Sequence, residues 1–379
     1  MTAAEAAAAR WDQGPRPFYE VWYLIAVAPS SGDGLWIRYT LLNPLDDRAG
    51  AGATLWFGYT CRAEPTRSFA ITSDFPRDRF RAPPGALDLR FGDLPDANTG
   101  QLAPRPGGAM GGASAALLHD GQMRGAIAPS SATGGHGAVW DISFAGDAAT
   151  GQLDGEARPG ADREAHRLMP AWLRRFSDRR TALTIPYPRL HATGEVTVDG
   201  RRLDLDRAPG HLAHHWGRER AEAWDWAHCA HFDEDPDAVV EALAPLLAGG
   251  RLRLTFVNLH LRDRILRCER PAEVLRNRSS SGLGWWRFAA HEGRTRVEVE
   301  LTVAPDLLLP FTYLSPSYQP SRCWNTQIAD CQVRLFEDGR EIRALRSHGK
   351  ASAEMHRSRC DQIPYESWAH GRAAALVLR

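Results

Sequence analysis

Short runs of alternating apolar and polar side chains, separated by turn-forming residues, recur along this chain. Successive side chains of an extended strand point to opposite faces, so such alternation marks strands with one buried face. Leu35-Trp36-Ile37-Arg38-Tyr39-Thr40-Leu41 puts Leu, Ile, Tyr and Leu on one face, and Trp, Arg and Thr on the other. Leu55-Trp56-Phe57-Gly58-Tyr59-Thr60-Cys61 repeats the pattern after the turn-rich Asn43–Gly52. Further strands are expected at Ala138–Phe144, Glu195–Val198, Arg251–Leu261, Arg296–Val303 and Gln332–Phe336. Val198-Asp199-Gly200-Arg201 reads as a hairpin turn. Many short strands joined by turns predict an all-β sandwich or barrel.

Helical periodicity occurs in two places. Asp162–Phe176 brings Leu168, Met169, Trp172 and Leu173 onto one face. Asp235-Pro236 predicts a helix running to Leu247, with Asp as N-cap and Gly249-Gly250 as the stop. The Gly- and Pro-rich Pro83–Gly135 reads mostly as loop, with scattered short strands. A chain of 379 residues exceeds one typical domain. Pro186-Tyr187-Pro188 interrupts any strand and suggests a division into residues 1–185 and 186–379.

Composition excludes several classes. With 46 basic and 46 acidic residues there is no net field to favour nucleic acid or an anionic membrane. An apolar fraction of 43% excludes a disordered chain. No apolar run is long enough to span a bilayer, which leaves peripheral membrane contact open. The first ten residues lack the basic and apolar regions of a secretory signal. The cysteines (Cys61, Cys229, Cys268, Cys323, Cys331, Cys360) are widely and irregularly spaced, which predicts free thiols in a cytoplasmic protein. His211, His214, His215, His228 and His231 cluster in sequence, yet residues three apart on a strand face opposite sides, so no metal site is expected. Gly107–Gly112 lacks the Lys-Ser/Thr ending of a phosphate-binding loop, and no Gly-x-Ser-x-Gly elbow is present. The Arg-Glu run Arg218–Arg220 reads as a solvated face. The chain has 13 tryptophans, each needing apolar contact and usually a partner for its N–H. What they pack around is the question composition raises.

The most distinctive stretch is Pro209-Gly210-His211-Leu212-Ala213-His214-His215-Trp216-Gly217, followed by Trp224-Asp225-Trp226-Ala227-His228. With Tyr19-Glu20-Val21-Trp22-Tyr23, Gly34-Leu35-Trp36-Ile37-Arg38-Tyr39-Thr40 and Gly349-Lys350-Ala351-Ser352-Ala353-Glu354, it resembles the lipocalin-like superfamily of tocopherol cyclases, carotenoid 1,2-hydratases (hydroxyneurosporene synthases) and AttH-type proteins. The resemblance implies two calycin-type antiparallel β-barrels side by side, with few short helices and an apolar cavity near their interface. It also implies chemistry without a cofactor: a carboxylic acid in an apolar pocket protonates a carbon–carbon double bond while aromatic rings stabilise the cation.

Carried over residue by residue, His214 aligns with the motif histidine, Trp216 with the motif tryptophan, and Trp224 and Trp226 with the aromatic pair. Asp225, Glu20, Glu354 and Glu222 are the candidate acids. Asp225 lies between the two tryptophans and so points away from the face they share. Candidate ligand contacts are Trp22, Trp36, Arg38, Tyr39 and His215 together with the motif tryptophans; Arg38 could anchor an anionic ligand head, but a salt bridge with Glu20 or another acid is the favoured expectation. His214 could equally be a buried histidine bonded to backbone. The expected partner is a hydrophobic small molecule, such as a polyene, isoprenoid or secondary metabolite, undergoing cyclisation, hydration or isomerisation. A non-catalytic carrier of a lipophilic ligand is the alternative, because barrels of this kind serve both roles.

Overall fold

The structure is a computed structural model describing residues 2–12, 14, 17–45, 51–93, 113–146, 167–177, 180–247, 252–317 and 320–357. It is built from two antiparallel sheets of 11 strands each. The first begins with β1 (Phe18–Val27), β2 (Gly34–Asn43), β3 (Gly52–Thr60), β4 (Phe69–Pro76), β5 (Phe80–Arg81) and β6 (Asp88–Phe91). It continues with β7 (Ala115–His119), β8 (Gln122–Ile127), β9 (Ala138–Gly146), β10 (Thr181–Val198) and β11 (Arg201–Gly217). The second sheet opens with β12 (Ala223–Cys229), β13 (Val239–Leu247), β14 (Leu252–Arg253), β15 (Phe256–His260) and β16 (Ile265–Arg267). It is completed by β17 (Arg278–Gly282), β18 (Trp285–Glu292), β19 (Thr295–Thr302), β20 (Leu309–Leu314), β21 (Pro320–Glu337) and β22 (Arg340–Arg357). The helices described are short: α1 (Ala3–Ala7), α2 (Ala171–Ser177) and α3 (Pro271–Arg276).

Each sheet rolls around its own core. In the first, Phe57 of β3 stacks on Trp140 of β9, ring centroids 5.6 Å apart, although four strands (β2, β1, β11 and β10) lie between them in the sheet order. In the second, Val257 and Leu259 of β15 share one buried cluster with Trp286 and Phe288 of β18. A third apolar cluster lies between the sheets, where Trp36 and Trp56 meet Trp224, Trp226, Phe311 and Tyr313. The barrels also meet at Gly34, where an added Cβ would stand 2.8 Å from the Gln327 Cβ. Thr60 Oγ1 donates to Gln327 Oε1 at 2.7 Å beside it.

The alternation sorts β1 and β2 cleanly. Trp22, Leu24, Ile37 and Tyr39 belong to the first barrel's core, whereas Tyr23, Ile25 and Trp36 belong to the cluster between the sheets. Both faces are therefore buried, which explains why these strands read as nearly continuous apolar runs. The hairpin expected at Val198–Arg201 joins β10 to β11, with Asp199 and Gly200 at φ +48° and +80°, the two positive angles that a two-residue turn requires.

Residues 239–247 form strand β13 rather than the expected helix. The capping signs at Asp235-Pro236 make a turn in which the Ala238 N–H donates to the Asp235 carbonyl. Alternation then prevails: Val240, Ala242 and Ala244 face the second barrel's core, and β12 and β15 pair on either side. The helix read over Asp162–Phe176 is represented by α2, and its first five residues lie outside those described. The change of sheet falls between Gly217 and Ala223, whereas position 185/186 lies inside β10. Gly107–Gly112 and Cys360 lie outside the described residues. The five described cysteines are buried and free.

Candidate functional site

A cavity of about 390 Å³ lies between the barrels, walled by the outer face of the first and the facing surface of the second. β1 contributes Val21 and Tyr23, β2 contributes Trp36 and Arg38, and β11 contributes His215. Trp224 and Trp226 of β12, Leu243 of β13, Tyr313 of β20 and Glu354 of β22 close the opposite wall. Register explains the grouping: Trp226 is opposite Glu354 across β12 and β22, and Glu354 is opposite Asn325 across β22 and β21. Met169 and Leu173 approach from the α2 side, and the exposed Glu219 and Glu222 stand at the rim.

Glu354 is the carboxyl on this wall. Its Oε1 accepts a bond from the Tyr313 hydroxyl at 2.7 Å, and its Oε2 accepts one from Trp224 Nε1 at 2.9 Å. Burial, reinforced by the Glu354 charge, pushes the phenols of Tyr313 and Tyr23 well above the ordinary tyrosine range, so both keep their protons. The Trp224 ring stacks on His356 at a centroid distance of 3.6 Å, which fixes the indole that holds Glu354.

Two guanidinium groups share the cavity. Arg38 is 5% exposed, its Nε donates to Thr40 Oγ1 at 3.1 Å, and its guanidinium carbon lies 4.1 Å from the Tyr313 ring centroid. Arg220, in the loop joining β11 to β12, lies 4.6 Å from the Tyr19 ring centroid and 5.4 Å from that of Tyr313. His215 Nε2 is 2.8 Å from the Tyr19 hydroxyl and 2.7 Å from Thr181 Oγ1. Burial, followed by the charges of Arg220 and Arg38, pushes the His215 imidazole well below the ordinary histidine range, so the ring is neutral near pH 7. Burial raises the Tyr19 phenol to about 12.

The structure separates the residues singled out in the sequence. Trp36, Arg38, His215, Trp224, Trp226 and Glu354 converge on the cavity. Glu20, His214, Trp22, Tyr39 and Trp216 lie on the opposite face of the first sheet and do not line it. His214 Nε2 is 2.8 Å from Glu20 Oε1, and Nδ1 is 2.8 Å from the Ala6 carbonyl. Glu20 also accepts the backbone N–H groups of Arg10 and Trp11, at 2.7 and 2.9 Å. Trp22 stacks on His214 and donates its indole N–H to Ala7 at 2.7 Å. This cluster ties the N-terminal segment to the first barrel. Trp216 packs on His214 there, and the Tyr39 hydroxyl donates to the Leu117 carbonyl. Asp225 faces away from the cavity, where Arg253 and Ser281 bond its Oδ2. The expected Arg38–Glu20 pair does not form, because the two side chains lie on opposite faces of the sheet. The reading of Arg218–Arg220 as a solvated run is corrected at Arg220, whose Nε is buried. Tyr313 and Arg220 also line the cavity, and no motif in the sequence marks either as a site residue. Tyr313 follows an apolar run and shows its role only once β20 pairs with β21.

Among the described residues no cluster of three or more His, Cys, Asp or Glu side chains could hold a metal ion. No helix among them is long and apolar enough to cross a membrane.

Fold and site together define a class: a two-barrel β-protein with an aromatic, carboxylate-bearing cavity between its barrels. Residues 182–355 match the family described as tocopherol cyclase-like, and the chain resembles that family over this stretch, which includes Arg220, Trp224, Tyr313 and Glu354. No curated protein matches the chain in sequence. Among solved structures, an AttH-described protein from Nitrosomonas europaea is 13% identical and has a TM-score of 0.47, with 92% of this chain and 96% of that chain covered. Kievitone hydratase from Nectria haematococca is 11% identical at a TM-score of 0.46, covering 89% and 88%. CghA, solved with Sch210972, is 11% identical at a TM-score of 0.47, covering 90% and 89%.

Proposed function

We propose that this chain is an enzyme of the cyclase or hydratase type, moving a proton on a hydrophobic small molecule held between its barrels. The observation that carries the reading is Glu354, a carboxyl gripped by Tyr313 and Trp224 on the wall of a cavity otherwise rich in aromatic and aliphatic surface. A fixed proton-transfer group beside apolar walls suits reactions that need little more than orientation and one proton moved. Glu354 receives both of its hydrogen bonds, so it is set to accept a proton from the substrate or from an attacking water. Tyr313, still protonated, is placed to keep the carboxyl oriented. The neutral His215 is a second group able to exchange a proton across the cavity. The family match over residues 182–355, whose description names a cyclase, supports the same reaction class. Polyenes, isoprenoids and polycyclic secondary metabolites are the substrates we consider. Five buried free thiols suit a reducing compartment, and we place the activity in the cytoplasm.

The test is metabolite profiling of a lipophilic extract incubated with wild-type protein and with Glu354→Gln. The proposal expects one compound to convert to a product of equal mass or heavier by one water, with the conversion lost in the variant. Binding of that compound without conversion by the wild type would make the chain a carrier. Equal conversion by the variant would remove Glu354 from the mechanism.

A further inference from the structure

The cavity holds more positive charge than the half-buried carboxyl of Glu354 answers. Arg38 and Arg220 both stack against the Tyr313 ring, and neither makes an ion pair among the described residues. Glu354 meanwhile takes its bonds from the neutral donors Tyr313 and Trp224. The other charged groups lining the cavity, Arg180, Glu219 and Glu222, are exposed at its mouth, where Arg180 and Glu219 pair at 3.8 Å.

We propose that Arg38 and Arg220 form an oxyanion clamp, so that the substrate is an apolar molecule carrying one oxyanionic group, such as a carboxylate or an acidic enol, and not a pure hydrocarbon. The inference rests on the reading of the cavity as the substrate site. Guanidinium groups withdrawn from water lose hydration that ring faces restore only in part, while an oxyanion would restore it by charge-assisted bonds. Arg38 has spent its Nε on Thr40, and its forked end remains on the cavity wall. The Nε of Arg220 is buried without a partner. Burial, followed by the neighbouring Arg38 charge, lowers the Arg220 guanidinium from its ordinary range. The same pair would oppose a developing carbocation, so it favours chemistry in which negative charge builds on a substrate oxygen. The apolar remainder of the molecule would lie toward Leu183, Leu243, Leu246 and Leu247.

The experiment compares three probes sharing one ring: 2-naphthoate, 2-naphthalenemethanol and 2-naphthylmethylammonium. Each is titrated calorimetrically into wild-type protein, Arg220→Met and Arg220→Lys at low salt. Wild type should bind the carboxylate about tenfold or more tightly than the alcohol, and the ammonium most weakly. Arg220→Met should erase most of the carboxylate preference while leaving alcohol affinity unchanged, and Arg220→Lys should restore part of it. Arg220 lies in a loop, so its replacement should leave the fold intact, and Arg38→Met with a matching circular dichroism spectrum provides the second variant. Equal affinities for carboxylate and alcohol, tighter binding of the ammonium, or a preference that survives both methionine variants would overturn the clamp while leaving the cavity reading in place. Binding of none of the probes would overturn the cavity reading, and the clamp with it.

Discussion

Two carboxylates sit beside tryptophans on paired strands of this protein, and their surroundings give them opposite roles. Glu20 is fully buried inside the first barrel, where Arg10 N–H, Trp11 N–H and His214 surround it. Every donor in that set belongs to the protein, and the cluster closes over the N-terminal segment. Glu354, on the other side of the inter-barrel surface, has two donors and faces a cavity. Both are satisfied carboxyls among aromatic rings, so neither composition nor local motif separates them. What separates them is whether space for another molecule lies beside the oxygens. A completed network holds a fold together, while a network with one open side can act on a substrate.

The substitution Glu354→Gln should test this contrast with the largest effect, lowering conversion roughly 10²- to 10⁴-fold, the usual contribution of a positioned acid or base. Its melting temperature should stay near that of the wild type. Glu20→Ala should do the reverse, destabilising the protein by about 3–5 kcal/mol in chemical denaturation, because it leaves His214 buried without its partner. Conversion per folded molecule should be unchanged.

Acidification sharpens the comparison from the side of the interface. Burial depresses His211 and His231 to about 3, and it depresses His215 and His228 well below the ordinary histidine range. Groups with lowered folded-state values bind fewer protons folded than unfolded, so their contribution is complete above about 6.5 and is lost as pH falls from there toward about 3. Each group can add a slope of about 1.4 kcal/mol per pH unit within that window. Denaturant midpoints measured from pH 7 to pH 4 should fall steadily, and the fall should be shallower in His211→Asn. The smallest effect belongs to Glu222→Gln. An exposed rim carboxylate should change conversion by less than about twofold.

Much of this architecture was legible in alternation. Alternation from Leu35 to Leu41 sorts the two faces of β2, and the one-residue offset of Asp225 from the two tryptophans agrees with its bonds to Arg253 and Ser281. What alternation could not tell is which buried face encloses a barrel core and which covers a neighbouring barrel. Glu20 and Arg38 each looked like a polar residue in an apolar strand, and only the docking of the second sheet distinguishes them. The helix expected through Leu247 failed because capping residues at a turn look alike whether a helix or a strand follows. Arg220 read as surface because its neighbours Arg218 and Glu219 are exposed, yet the chain turns inward at the loop between the sheets. The tryptophans divide by location too. Trp22 and Trp140 fill the first barrel and Trp286 the second, while Trp36, Trp224 and Trp226 wall the cavity.

Native mass spectrometry of gently purified wild-type protein beside Leu243→Trp most directly tests whether the space between the barrels is the functional site. Leu243 faces that space, so the larger ring should fill it without disturbing either barrel core. A lipophilic ligand carried by the wild type and absent from the folded variant is the predicted result. Retention of the same ligand at the same occupancy by the variant would contradict the account.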